Sequence, residues 1–258
     1  MKTPSFRLDG KRALVTGGSK GIGLAAAHAL AQAGAEVCIA ARSAPDLIAA
    51  CAEIMPAIPE NSLDSSEITH AVIDVRDSVA VDALFAQHGA FDIVVNNAGT
   101  TRTRLIDEAS DEDLDTVLDL NVKAAFYVLR AASRSLKAAG KAGSLINISS
   151  QMGHVGGPKR TLYCSSKHAL EGMTKALAWE LGPLNIRVNS ICPTFIETEL
   201  TSTMLADPAF KQYVTGNIAF GRLGKLEEIM GAVVFLASDA SSLMTGSALM
   251  LDGGWTAR

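Results

Sequence analysis

Short apolar runs rich in β-branched residues recur along this chain of 258 residues, and a longer helical pattern separates each from the next. Residues 13–16, 37–40, 71–73, 92–95, 144–148, 186–191 and 248–251 read as strands. Their apolar residues are nearly continuous, as in strands buried on both faces of a parallel sheet. Helical spacing covers residues 21–33, 44–55, 77–87, 110–138, 161–181 and 225–237. Parallel neighbours need right-handed crossovers, and helices supply them on both faces. The predicted fold is α/β, a doubly wound parallel sheet of about seven strands.

No linker interrupts the alternation, so residues 1–258 read as one domain, with a loop-helix region at about 194–220. Residues 56–69, with two prolines and the pairs Asn61-Ser62 and Ser65-Ser66, form the most loop-like connection. The net charge is −4 and there is no Lys/Arg block, which argues against nucleic acid or an anionic membrane as partner. No apolar stretch reaches the ~18 residues of a membrane span, and residues 1–7 lack the apolar run of a signal peptide. Cys38, Cys51, Cys164 and Cys192 show no Cys-x-x-Cys or Cys/His spacing, so they read as reduced thiols with no metal site. The expectation is a cytoplasmic protein.

The loop between the first strand and the first helix carries Gly17-Gly18-Ser19-Lys20-Gly21-Ile22-Gly23. Glycines let a backbone approach a ligand closely, and the helix start behind them offers free N–H groups to a pyrophosphate. The spacing is Gly-x-x-x-Gly-x-Gly rather than Gly-x-Gly-x-x-Gly. An acid at the end of the second strand would bind ribose hydroxyls and repel a 2′-phosphate. This chain has Ala40-Ala41-Arg42 there, and Arg42 with Lys20 is suited to clamp that phosphate. The expected cofactor is NADP(H), with NAD(H) as the alternative.

Tyr163 and Lys167 lie four apart in a helical pattern, close to one turn, so they project from one face. A tyrosine titrates near ~10, and a neighbouring ammonium favours its phenolate, which brings it toward working range as an acid or base. The spacing alone is equally that of a packed tyrosine beside a solvated lysine.

With the glycine loop, Asn96-Asn97-Ala98-Gly99, Ser150 and Tyr163-x-x-x-Lys167 in order, the chain resembles the short-chain dehydrogenase/reductase family. It is similar to the single-domain branch of about 250 residues with a Rossmann-type sheet. The resemblance implies catalytic roles for Asn121, Ser150, Tyr163 and Lys167. It implies cofactor contacts for Gly17, Ser19, Lys20, Gly21, Ile22, Gly23 and Arg42, for Asp74 and Val75 at the adenine, and for Asn97, Ala98 and Gly99. Tyr163 and Lys167 join them, as do Ile196 and Thr198 at the nicotinamide carboxamide. One departure is Pro193-Thr194, where the family usually has Pro-Gly.

The implied reaction interconverts a secondary alcohol and a ketone. Tyr163 moves the proton, Lys167 lowers the tyrosine pKa, Ser150 donates to the substrate oxygen, and Asn121 holds a water that links Lys167 to solvent. The termini resemble sugar and polyol dehydrogenases, so the substrate expected is a sugar, polyol or sugar acid. The alternative is a 3-oxoacyl-thioester or other small-ketone reductase, and the non-enzymatic one a nucleotide-sensing regulator. Arg102, Arg104, Lys159 and Arg160 lie where a substrate carboxylate or polyol would be met. The apolar run 124–129 suggests a subunit contact, and the resemblance makes it that of a homotetramer, with a dimer second.

Overall fold

The computed structural model describes residues 1–57 and 67–257. Its strands are β1 (Arg12–Thr16), β2 (Glu36–Ala41), β3 (Ile68–Val72), β4 (Ile93–Asn96), β5 (Gly143–Ile148), β6 (Ile186–Pro193) and β7 (Ala248–Leu251). They form one sheet in the order β3-β2-β1-β4-β5-β6-β7. Every pairing is parallel. The helices are α1 (Gly21–Gln32), α2 (Ala44–Ile54), α3 (Ser78–His88), α4 (Asp111–Leu118), α5 (Ala124–Ala139), α6 (Thr161–Leu181), α7 (Glu199–Leu205), α8 (Pro208–Gly216) and α9 (Glu227–Ala237).

The continuous apolar strands fill two cores. Ala13 and Val15 of β1 pack on one face with Leu30 of α1, Leu47 of α2 and Val233 of α9. Leu14, between them, packs on the other with Phe85 of α3, Val128 of α5 and Leu181 of α6. Period-two alternation thus delivers buried side chains to both layers. A third cluster, around Met152, Val214, Ile218, Leu223 and Trp255, sits under α7 and α8.

Two expectations need correction. β3 begins three residues earlier than predicted and ends at Val72. It pairs with β2 alone, and as an edge strand it carries exposed and polar residues such as Thr69 and His70 that hide its pattern. The helix predicted over 110–138 is interrupted by a π-helical turn at Asp119–Lys123, between α4 and α5. The region 194–220 holds two separate helices, α7 and α8. Of the connection predicted over 56–69, residues 58–66 lie outside the described residues. Among the described residues no helix is long and apolar enough to cross a membrane.

Candidate active site

In a doubly wound sheet the crevice opens where the crossovers diverge, beyond the strand C-termini. Here that point lies between β1 and β4, each bonded to the other and each leading outward on its own side. A cavity of about 490 Å³ occupies it. It is lined by the glycine loop, by 97–100 after β4, by Ile148 and Ser149 at the end of β5, by Tyr163 and Lys167 of α6, and by Thr198.

The loop from β1 is held in a shape only glycines allow. Gly17 has φ +63°. A Cβ on Gly23 would stand 2.2 Å from the Gly17 carbonyl oxygen and 2.5 Å from Asn97 Nδ2, so the first turn of α1 is packed directly on the loop. Asn97 fixes the loop from the β4 side, donating to the carbonyls of Thr16 at 3.0 Å and Gly17 at 3.1 Å. The Thr16 hydroxyl accepts from the Asn97 and Ala98 amides. Lys20, at the N-cap of α1, supplies no capping side chain. Ser43, Asp77 and Ser110 do cap α2, α3 and α4. The uncapped N–H groups at α1 and the backbone cradle fit a dinucleotide pyrophosphate.

The two cations assigned to the adenosine end differ. Lys20 pairs with Asp46 at 3.3 Å and Glu199 at 3.8 Å. Arg42 is exposed just past β2, forms no ion pair among the described residues, and helps hold the Asp74 carboxyl low. The larger influence on Asp74 is its hydrogen bonding to Arg76. Val75 is buried in the core below Asp74. Ile196 is buried, does not line this cavity, and packs on Gly224, whereas Thr198 lines it and caps α7.

At the other end, Lys167 is 5 % exposed and donates from Nζ to the Ile148 carbonyl at 2.8 Å. Its Nζ lies 5.7 Å from the Tyr163 ring centre. Burial pushes Lys167 down to about 8, against the opposing charges of Cys192 and Glu171. Burial likewise raises Tyr163, and the Ser150 hydroxyl and the Arg160 guanidinium oppose it. The expectation that Lys167 draws the tyrosine below its ordinary value is therefore not met. Desolvation outweighs the neighbouring charge, and the nearby cation that counts is Arg160.

Ser150, also buried, donates to Gln151 Oε1 at 2.8 Å and accepts from the Met152 amide. Gln151 Nε2 in turn reaches the hydroxyl of Thr194 at 3.4 Å. Thr194, the departure noted in the sequence, thus steadies the residue that orients Ser150. Asn121 projects from the π turn and is 1 % exposed. Its side chain accepts from the Thr100 amide at 2.8 Å and donates to the Thr100 carbonyl and to Ser166 Oγ. This side-chain amide clamps the loop after β4 to α6. A Cβ on Gly99 would lie 3.3 Å from Asn121 Oδ1 and 3.8 Å from Lys167 Nζ.

Sequence spacing missed one grouping, and the fold forms a second. His154, Glu171 and Cys192 bring ligand-type atoms within 4.8 Å of one another, although no pattern in the sequence pairs them. A recess of about 80 Å³ joins Ser150 and Tyr163 to Arg160, Phe195 and Met204. Arg160 stands there as the sequence leads one to expect, and Thr201 and Met204 of α7 close the recess.

A family model described as enoyl-(acyl carrier protein) reductase matches residues 17–256. The gluconate 5-dehydrogenase of Gluconobacter oxydans is 37% identical over 97% of this chain and 96% of its own. The chain belongs to the short-chain dehydrogenase/reductase family. It is an oxidoreductase of CH–OH groups that uses a nicotinamide dinucleotide. An Agrobacterium tumefaciens structure with bound NADP, provisionally named a 2-deoxy-D-gluconate 3-dehydrogenase, superposes with a TM-score of 0.90. It is 42% identical, and the match covers 100% of both chains. A gluconate 5-dehydrogenase from Burkholderia cenocepacia, in complex with NADP and tartrate, is 35% identical with a TM-score of 0.90 over 98% of each chain.

Proposed function

We propose that this protein is an NADP(H)-dependent dehydrogenase/reductase of a sugar, polyol or sugar acid. Tyr163 is its proton-transfer residue. The observation that carries this reading is that Tyr163 and Lys167 stand on the wall of a cavity whose other end is the glycine cradle, and that Tyr163 also borders the recess that holds Ser150. The names of the relatives support the substrate class, and Arg42 beside Asp74 supports NADP over NAD.

Bound NADP supplies or accepts the hydride, chemistry that no side chain provides. Gly17, Gly21, Ile22 and Gly23 cradle its phosphates, with Ser19 and Lys20 between them. Arg42 holds the 2′-phosphate, and Asp74 and Val75 border the adenine. Asn97, Ala98 and Gly99 line the adenosine side, and the segment from Ile196 to Thr198 borders the carboxamide. Tyr163 is protonated at neutral pH because burial raises it, which is the form that donates to a carbonyl oxygen during reduction. Oxidation needs the phenolate and so gains with rising pH. Ser150 turns its hydroxyl from Gln151 to the substrate oxygen as charge builds there. Lys167, with Nζ donors beyond the one given to Ile148, binds the nicotinamide ribose, and Asn121 holds the loop opposite.

The whole chain acts as one Rossmann-type domain, in a cytoplasmic homotetramer. Support for assembly comes from apolar residues left outside on the long helices, Phe126 on α5 at 49% exposed and Trp179 on α6 at 88%. Size-exclusion chromatography with light scattering should give four times the 27.0 kDa chain mass.

The reaction is tested by NADPH depletion over paired ketoses, keto-aldonates, diketones and acyl thioesters, with the reverse oxidations alongside. Turnover concentrated on the sugar-derived ketones supports the reading. Turnover confined to acyl thioesters would replace it with the thioester reductase, and NADPH binding without any turnover with a sensor.

A further inference from the structure

Four cations stand in segments that meet the substrate region, and the fold treats them differently. Arg102 and Arg104 are exposed and both pair with Asp113, at 3.5 and 3.8 Å. Lys159 is exposed. Arg160 alone is buried, 5 % exposed, and no carboxylate pairs with it among the described residues.

Its surroundings hold the guanidinium in place without neutralising it. Phe195 and Phe210, set edge to face with each other, both lie against it, with ring centres 5.8 and 5.9 Å from Cζ. Nη1 donates to the hydroxyls of Thr101 at 3.2 Å and Thr103 at 3.1 Å, and Nη2 reaches only the thioether of Met204. Two hydroxyls and a sulfur are weak partners for a charge removed from water. Burying an unpaired cation is costly, and an incoming anion would offset that cost. The same recess exposes Ser150 and Tyr163. An anion held by Arg160 would therefore place the attached carbon chain against the proton-transfer residue.

We propose that Arg160 is a substrate-binding residue that selects a carboxylate-bearing substrate, a keto-aldonate or its alcohol, over the matched neutral ketose or polyol. The planar fork suits a carboxylate bidentately. The recess adjoins the larger cavity at Tyr163, so a carboxylate on Arg160 and a reacting carbon at Tyr163 belong to one ligand. This inference rests on the sugar-class reading above and narrows it to acids.

The test compares keto-gluconates with neutral ketoses that carry hydroxymethyl in place of carboxylate, such as 5-keto-D-gluconate with L-sorbose, in wild type, Arg160→Lys and Arg160→Met. Wild type should favour the acid, and Arg160→Met should cut kcat/KM for it by 100-fold or more, chiefly through KM. The neutral ketose should lose about tenfold less, and Arg160→Lys should fall between. Equal losses on both substrates would make Arg160 a structural latch between the 101–103 loop and α7, and would overturn the proposal. Wild-type preference for the neutral ketose would overturn it as well.

Calorimetry on the NADP-loaded enzyme separates this failure from failure of the sugar reading. Tartrate should bind wild type at least tenfold more tightly than Arg160→Met, whereas threitol should not distinguish them to that degree. Loss of this contrast overturns anion recognition whatever the enzyme turns over. Its presence, with no sugar acid among the substrates, retains the anion site and discards the sugar.

Discussion

Lys167 Nζ lies 5.7 Å from the centre of the Tyr163 ring and gives a hydrogen bond to the Ile148 carbonyl at 2.8 Å. One turn of α6 thus sets a buried ammonium beside a partly buried phenol, and burial acts on both in opposite directions. It favours neutral lysine and neutral tyrosine.

The lysine shift has a measurable consequence for stability. Lys167 titrates at about 8 when folded, against an ordinary 10.5. Below pH 8 it is protonated in both states, and the folded form bears the full cost of its buried charge, about 3 kcal/mol. Between pH 8 and 10.5 the unfolded chain binds the extra proton, so this contribution to stability rises with pH. Urea titration of the cofactor-free enzyme should show Lys167→Met relatively more stable at pH 7 than at pH 10.5, by about 3 kcal/mol. A difference between the two proteins that does not change with pH would contradict the burial argument.

Gly23 tests the cradle. An alanine there would bring Cβ to 2.2 Å from a backbone oxygen that cannot swing away. Gly23→Ala should destabilise the protein by about 1–3 kcal/mol, as overpacking does, and weaken NADPH binding at least tenfold. Fluorescence titration with NADPH, beside a melting curve, reads both effects.

Arg42 and Lys20 looked equivalent in the sequence, and the fold separates them. Lys20 already has two carboxylates, whereas Arg42 stands free of ion pairs among the described residues. A charge-assisted bond to phosphate contributes about 1.5–3 kcal/mol. Arg42→Ala should therefore raise the NADPH Kd by about 10- to 100-fold and leave that for NADH within about threefold. Lys20→Ala should change the NADPH Kd by less than Arg42→Ala does. Calorimetric titration with each cofactor decides the ranking.

How much of this was visible in advance follows from the range of the signals. β1, its glycine turn and α1 lie next to one another in the chain, and their pattern is local, so element and role were read together. The Tyr163–Lys167 pair is likewise one helical turn. Spacing places Asn121 inside a helix, but the π turn that aims it is an extra residue in a continuous periodic pattern, which spacing alone does not reveal. The burial of Arg160 depends on Phe195 and Phe210, which are 35 and 50 residues away by number and join it only when α7 and α8 close over α6. Lys159, its immediate neighbour, ends exposed.

The π turn itself is open to test at Asn121. Its amide satisfies both backbone groups of Thr100 from a site 1 % exposed. Asn121→Ala leaves those groups without their partner and should cost about 2–3 kcal/mol in urea unfolding. A loss below about 0.5 kcal/mol would mean that the loop after β4 is held by something else.

The central claim is that Tyr163 transfers the proton, and single-turnover kinetics of Tyr163→Phe with NADPH and the best ketone from the panel test it most directly. The substitution removes one hydroxyl and keeps the ring packed with Met152 and Phe195. NADPH should bind the variant within about threefold of wild type, while the chemical step slows by about 10³-fold or more. A chemical step within tenfold of wild type would contradict the assignment.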